Sequence, residues 1–368
     1  MNILVQLSHP AHFHLYKNAI YNFRNHGHNV FVLIKTKDIL EELLKNAGIE
    51  YFNILPIPHR GSKLGILWDM LVRDWKILRF CKKHKIDMLT GSTPEVAHVS
   101  KILRVYSVNL GEDDMSIVPA FAKVTGPFLQ CMLSPVTCQL GNLEKKGIHY
   151  PGFQKLAYLH PKRFIPDSNV LKKYNIPINK PYFLLRFAKL NAHHDNGVHG
   201  ISAEIADKLV SILSKYGNIY ITSERPLESQ FEQYRLNINP LDIHHIIAFA
   251  LLYIGDSQSM AVEASMLGVP ALRFNDFIGK KKIGVMEELE KVYGLTYGIS
   301  SQEPEKLYEI IEDLLSTSNL KQEYQNKKEI MLKDKIDVSH FITWFIENYP
   351  KSYEITKNAT QSFWNQFK

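Results

Sequence analysis

The sequence is poor in cysteine. Its 368 residues hold only Cys81, Cys131 and Cys138, far apart and without metal-ligand spacing. That excludes a disulfide framework and leaves a structural zinc site without support. Long apolar runs are missing too: the most apolar stretch, residues 246–254, falls far short of the roughly 20 residues that span a bilayer. The opening Met1-Asn2-Ile3-Leu4-Val5 lacks a cationic segment and reads as a buried strand, not a signal peptide. The chain is therefore expected to stay in a reducing cytoplasm. There is no internal repeat and no low-complexity tract. With 45% hydrophobic and 22% charged residues, disorder and fibrous structure are excluded as well.

Acidic residues are scarce in one half only. Residues 1–165 carry 21 Lys and Arg against 12 Asp and Glu, whereas residues 166–368 carry 23 against 25. Ten of the 16 histidines also fall in the first part. A basic module favours phosphate-rich partners: nucleic acid, anionic lipid or phosphorylated substrates. Zinc-finger spacing and aromatic RNP patterns are absent, which counts against nucleic acid.

The length suits two domains. Short apolar runs at 3–7, 29–34, 51–54, 86–90 and 107–110 read as strands. They alternate with helical patterns at 13–25, 38–47, 64–84 and 95–103. Proline and glycine thicken from Pro151 to Pro181 and mark a junction near 160–170. A second series follows, with strands at 182–187, 218–222, 251–255 and 271–274 and helices at 202–216, 259–267, 304–316 and 320–333. The expected fold is α/β, with two doubly wound, Rossmann-like domains over 1–165 and 166–337 facing a central cleft. The tail 338–368 carries Phe341, Trp344 and Phe345 and is expected to pack back on the body.

The most informative segment runs from Gly255-Asp256-Ser257-Gln258-Ser259 through Glu263 to Gly268-Val269-Pro270. It reads as a strand, a small-polar turn, a helix and a new strand. Main-chain N–H groups at Ser257, Gln258 and Ser259 would face outward at a helix N-terminus, whose partial positive charge suits a diphosphate. Glu263, four residues after Ser259, can accept hydrogen bonds from vicinal ribose hydroxyls. The same pattern also fits a plain capped helix with a solvated glutamate. A second segment, Ser8-His9-Pro10-Ala11-His12-Phe13-His14, places three histidines at the end of the first strand; His9 and His12 can share a helical face.

These stretches carry a resemblance. The segment from Asp256 to Pro270 resembles the donor-nucleotide signature of GT-B glycosyltransferases and of UDP-GlcNAc 2-epimerases. The whole chain more closely resembles a bacterial and archaeal family catalogued as domain of unknown function 354, held to be GT-B-like. That resemblance rests on Ser8 to His14, Gly91-Ser92-Thr93-Pro94, Tyr158-Leu159-His160-Pro161 and Asp256 to Pro270. It implies a nucleotide-sugar enzyme, with the nucleotide sugar as substrate and no separate cofactor.

In GT-B enzymes the first turn borders the acceptor, so the resemblance implies His9 or His12 as general base on an acceptor hydroxyl. Glu112 and Asp113, after the strand 107–110, are the reserve carboxylates; a solvated acidic loop is their other reading. Arg186 and Lys189, at the end of the first strand of the second domain, would neutralise the leaving diphosphate in place of a metal. No Asp-x-Asp metal motif is present, and no metal site is expected. The implied activity is transfer of a sugar from a nucleotide sugar, a UDP-sugar, to a glycan or lipid-linked acceptor in cell-envelope biosynthesis. A UDP-sugar 2-epimerase is the alternative, although Gly91-Ser92-Thr93 stands where that enzyme's acidic residue would be. A basic nucleic-acid-binding protein is a further rival.

The pattern at 64–84 sets Trp68, Leu71 and Trp75 beside Arg73, Lys76 and Arg79. A cationic amphipathic helix of this kind can lie on an anionic membrane, which would place the protein peripherally on the inner face of the cell membrane. A domain helix with a solvated basic face is the plainer reading.

Overall fold

The computed structural model describes residues 1–55, 63–188, 200–276, 278–279 and 283–368. The chain divides into two compact units. Met1–Arg163 and Asp334–Lys368 make the first, and Phe164–Lys333 the second.

The first unit is built on a seven-stranded parallel sheet. Its strands are β1 (Asn2–Leu7), β2 (Asn29–Lys35), β3 (Phe52–Leu55), β4 (Met88–Gly91), β5 (Tyr106–Leu110), β6 (Met132–Pro135) and β7 (Gly147–Tyr150), in the order β3-β2-β1-β4-β5-β6-β7. The apolar β1 is buried almost throughout, as the central strand of a covered parallel sheet must be. The chain winds outward from β1 through β2 to β3. It then returns to β4 on the other side of β1, so the order reverses between β1 and β4, where α/β sheets open a ligand crevice at the strand carboxyl ends.

That junction is held closely. Gly91 lies opposite Gln6, and a Cβ there would sit 2.8 Å from the Gln6 carbonyl oxygen, a position only glycine can occupy unstrained. Beneath it, the hydroxyls of Tyr16 and Thr90 are 2.9 Å apart, and Thr90 donates to the Val108 carbonyl at 2.9 Å. The helix Val338–Glu347 buries Phe341, Ile342, Phe345 and Ile346 in this unit. Asn22 of the helix Pro10–Asn25 donates to Thr343 at 3.1 Å.

The second unit holds a five-stranded parallel sheet: β8 (Tyr182–Phe187), β9 (Asn218–Ser223), β10 (Leu252–Gly255), β11 (Ala271–Phe274) and β12 (Thr296–Ile299), in the order β12-β11-β10-β8-β9. Here the reversal falls between β8 and β10. Glycine again stands at it: Gly255 pairs with Arg186, and a Cβ would sit 2.9 Å from the Arg186 carbonyl oxygen.

One expectation is corrected by the structure. The helix Lys63–His84 does not present a solvated basic face through Arg73, Lys76 and Arg79. Arg73 is buried, with Nε 2.5 Å from Oε1 of Glu95, and Lys76 donates to the Ile54 carbonyl at 2.7 Å. Ile77 and Cys81 join the core formed by Leu4, Leu33, Leu89 and Val96. Among those three cations only Arg79 is exposed.

Candidate functional site

Two groups of residues gather at the two sheet reversals, one in each unit. In the first unit, His9, two residues beyond β1, caps the next helix with extended backbone, and Pro10 opens that helix, where a missing N–H does no harm. Nδ1 of His9 accepts from the Ala11 N–H at 3.2 Å. Nδ1 of His12 accepts from the Ser8 N–H at 3.3 Å. With Nδ1 accepting, neutral His12 carries its proton on Nε2, so that nitrogen donates. Burial, with the charges of His9, Lys35 and Lys155 adding to it, pushes the His12 pKa down to about 3. His12 is thus neutral across the physiological range and a weak proton acceptor. His9 lies beside it, ring centroids 6.2 Å apart, and is exposed.

Segments distant in sequence converge here. The His14 ring packs on Tyr158 at 5.0 Å, and Asn18 donates to the Ala157 carbonyl at 2.8 Å. Glu112 is already engaged: Oε2 takes a 2.5 Å ion pair from Lys155 and Oε1 accepts from the Gln154 N–H at 2.6 Å. Asp113 is exposed, whereas the neighbouring Asp114 is buried and accepts from the Gln139 N–H at 2.6 Å. Lys155, unremarked in the sequence, links these groups. Its signal there was adjacency to the Tyr158-Leu159-His160-Pro161 stretch, which gives a lysine no distinctive pattern of its own.

In the second unit, Gly255 ends β10 and the helix Gln258–Met266 begins two residues after Asp256. Ser257 makes no side-chain cap bond, and the first turn holds no acidic residue. The first N–H groups of this helix are thus offered neither a side-chain cap nor a first-turn carboxylate of their own, the condition for binding an anion. Ser257 and Gln258 are half-buried and Ser259 is exposed. Glu263 is buried one turn further on, its Oε1 3.4 Å from Nε2 of His244. His244 lies on the helix Ile243–Phe249, just before the apolar stretch at 246–254, and the sequence pattern gave it no role.

Arg186 lies across from Gly255. Its guanidinium pairs with Glu224 through Nη2, and its buried Nε has no hydrogen-bond partner. An arriving diphosphate would compete with Glu224 for that charge. Lys189 falls outside the described residues. Among the described residues no three His, Cys, Asp or Glu side chains gather as a metal site requires.

Asp256 was part of the sequence motif without a role. It is buried at the mouth of the turn. Its Oδ1 accepts from the Ala188 N–H at 2.6 Å, its carbonyl accepts from Asn275 at 3.1 Å, and its Oδ2 has no hydrogen-bond partner. Burial raises its pKa to about 6, against the pull of the Ala188 N–H and the Arg225 charge. A raised folded pKa favours folding below about pH 4 and withdraws that support as the pH climbs through 6, by about 3 kcal/mol in all. Asp256→Asn is therefore expected to be more stable than wild type at pH 7.5 by up to about 3 kcal/mol, an advantage that shrinks towards pH 4.5. Urea unfolding at both pH values checks it; an equal difference at the two would show that Asp256 does not titrate there.

The family model described as "Protein of unknown function (DUF354)" matches residues 1–287. The chain belongs to this family. A search of curated proteins finds no match to this DUF354 member. Among solved structures it is similar to S. aureus MnaA, solved with UDP, at 14% identity and TM-score 0.66, over 98% of this chain and 99% of that one. A putative UDP-N-acetylglucosamine 2-epimerase from Listeria monocytogenes gives 14% and 0.68, over 98% of each chain. The spinosyn rhamnosyltransferase SpnG, solved with spinosyn aglycone, gives 14% and 0.59, over 94% of this chain and 100% of that one. At such identities the likeness establishes the fold: this DUF354 protein shares the GT-B architecture of sugar-nucleotide epimerases and glycosyltransferases.

Proposed function

We propose that this DUF354 protein is a glycosyltransferase. It moves a sugar from a UDP-sugar to a hydroxyl of a glycan or lipid-linked acceptor in cell-envelope biosynthesis, on the cytoplasmic side. The observation that carries the reading is the open N-terminus of Gln258–Met266 at the β8/β10 reversal, with buried Glu263 one turn along. The turn at Ser257, Gln258 and Ser259 holds the diphosphate and Glu263 the ribose. Arg186, exchanging Glu224 for phosphate, answers the leaving-group charge without a metal. Lys189 is assigned to the same task by sequence.

The first unit supplies the acceptor side. His9 turns its ring out of a long, exposed cap bond and takes the proton of the acceptor hydroxyl. The acceptor oxygen bonds to the anomeric carbon as the carbon–oxygen bond to the diphosphate breaks, and UDP leaves with that electron pair. His12, held neutral, donates from Nε2 to orient the acceptor. Asp113, exposed just beyond the end of β5, is the reserve base.

A second reading is a UDP-sugar 2-epimerase, because proteins named as UDP-N-acetylglucosamine 2-epimerases superpose on this chain as well as the transferases do, with TM-scores of 0.60–0.68 against 0.59–0.61. Incubation with UDP-sugars and no acceptor separates the two. A transferase leaves the sugar nucleotide unchanged, apart from slow hydrolysis. Appearance of a C2-epimeric sugar nucleotide in the NMR spectrum would overturn the transferase reading.

A further inference from the structure

The helix Lys63–His84 leaves one face uncovered, and that face is patterned. Leu67 is 49% exposed, Trp68 57%, Leu71 52% and Trp75 56%. At i, i+1, i+4 and i+8 these residues form one continuous apolar stripe. The stripe runs on into Arg79, Lys82 and Lys83, all exposed, with the Arg79 guanidinium 4.9 Å from the Trp75 ring. The acids of the helix lie off this face: Asp69 is buried, and Asp74 pairs with Nδ1 of His98 at 2.9 Å. The opposite face, through Arg73, Ile77 and Cys81, is spent on the core.

Two exposed tryptophans and two leucines followed by three cations, with no acid among them, complement a surface that is apolar within and anionic at its rim. We infer that this face docks the protein on an anionic lipid bilayer, with Trp68 and Trp75 at the headgroup boundary and Arg79, Lys82 and Lys83 against lipid phosphates. The excess charge of residues 1–165, 21 cations against 12 acids, adds a long-range attraction of the same sign. The helix lies on the membrane: among the described residues none is long and apolar enough to cross one. This docking stands apart from the donor site, which belongs to the second unit.

The test is co-sedimentation of the full chain with vesicles of two parts phosphatidylcholine to one part phosphatidylglycerol at low salt. Wild type is expected to pellet with them, and to stay in solution with pure phosphatidylcholine or at high salt. The double variant Trp68→Ser with Trp75→Ser, and the triple variant Arg79→Glu, Lys82→Glu, Lys83→Glu, are each expected to lose binding by more than about tenfold. Both change only exposed side chains, and UDP calorimetry on each reports whether the fold and the donor site survive. Wild-type fluorescence adds a readout free of folding artefacts: lipid chains brominated near the headgroup should quench emission, and the quenching should vanish in Trp68→Phe with Trp75→Phe. Wild type that ignores anionic vesicles, tryptophan variants that bind unchanged, or a wild-type dimer dissolved by Trp68→Ser with no vesicle binding would each overturn the inference.

Discussion

His9→Ala is expected to turn over a UDP-sugar with the true acceptor about 10²–10⁴ times more slowly than wild type, the usual loss when a general base is removed. The loss should lie in kcat and leave the donor KM nearly unchanged, because the proposed donor contacts belong to other residues in the second unit. The contrast with its neighbour is the informative part. His12 has a pKa near 3 and gives Nδ1 to the Ser8 N–H, so it has no basic nitrogen to offer near neutrality. His12→Asn should act chiefly on the acceptor KM, with a smaller fall in kcat. Were His12→Asn the slower enzyme by orders of magnitude, with His9→Ala near normal, the two roles would be exchanged. If both kept wild-type kcat, the base would be sought at Asp113.

The second large effect is expected at Glu263. A hydrogen bond to a charged group contributes about 1.5–3 kcal/mol, so Glu263→Ala should weaken UDP binding roughly 10- to 150-fold. The side chain is buried against His244, so some loss of stability is expected in any reading. The two effects are told apart by Glu263→Gln, which keeps the shape and one acceptor. A ribose-binding glutamate predicts intermediate affinity in the Gln variant and a thermal midpoint close to wild type. Equal UDP affinity in all three folded proteins would remove Glu263 from the site.

The central strands of both sheets were legible in the sequence because each is a short apolar run with no competing helical period: residues 3–7, 182–187 and 271–274 are strands within a residue of the expectation. β6, β7 and β12 were not. Each has four residues; Pro135 ends the first, Gly147 opens the second and Gly298 sits within the third, so neither alternation nor a β-branched run marks them. The helix Ile243–Phe249 was missed because its second half runs into the apolar stretch at 246–254. Its His244, a candidate partner of the ribose-binding carboxylate, was hidden with it.

The site was legible as two turns and illegible as a set of partners. Strand-end motifs announce themselves by Gly, Ser and His at fixed offsets, and both sheet reversals fall on them. Which side chains are already engaged does not show in a linear pattern. Glu112 showed no partner in the sequence until Lys155, 43 residues away, closed on it. Arg186 looked unpaired until Glu224 did the same. His9 and His12 looked alike, and it is the burial of His12, with the Ser8 N–H and the surrounding charges, that separates them. The basic helix face failed for the same reason, since helical spacing cannot say which of two polar faces meets the core.

The central claim is that the turn before Gln258–Met266 holds the diphosphate of a uridine nucleotide. Hydrogen–deuterium exchange of the intact protein with and without UDP tests it most directly, because the groups said to bind are main-chain amides. UDP is expected to slow exchange strongly at Ser257, Gln258 and Ser259 and at the first turn that follows, and the slowing should be lost in Glu263→Ala at the same nucleotide concentration. UDP that binds yet leaves those amides exchanging at their free rate, with protection elsewhere in the chain, would contradict it.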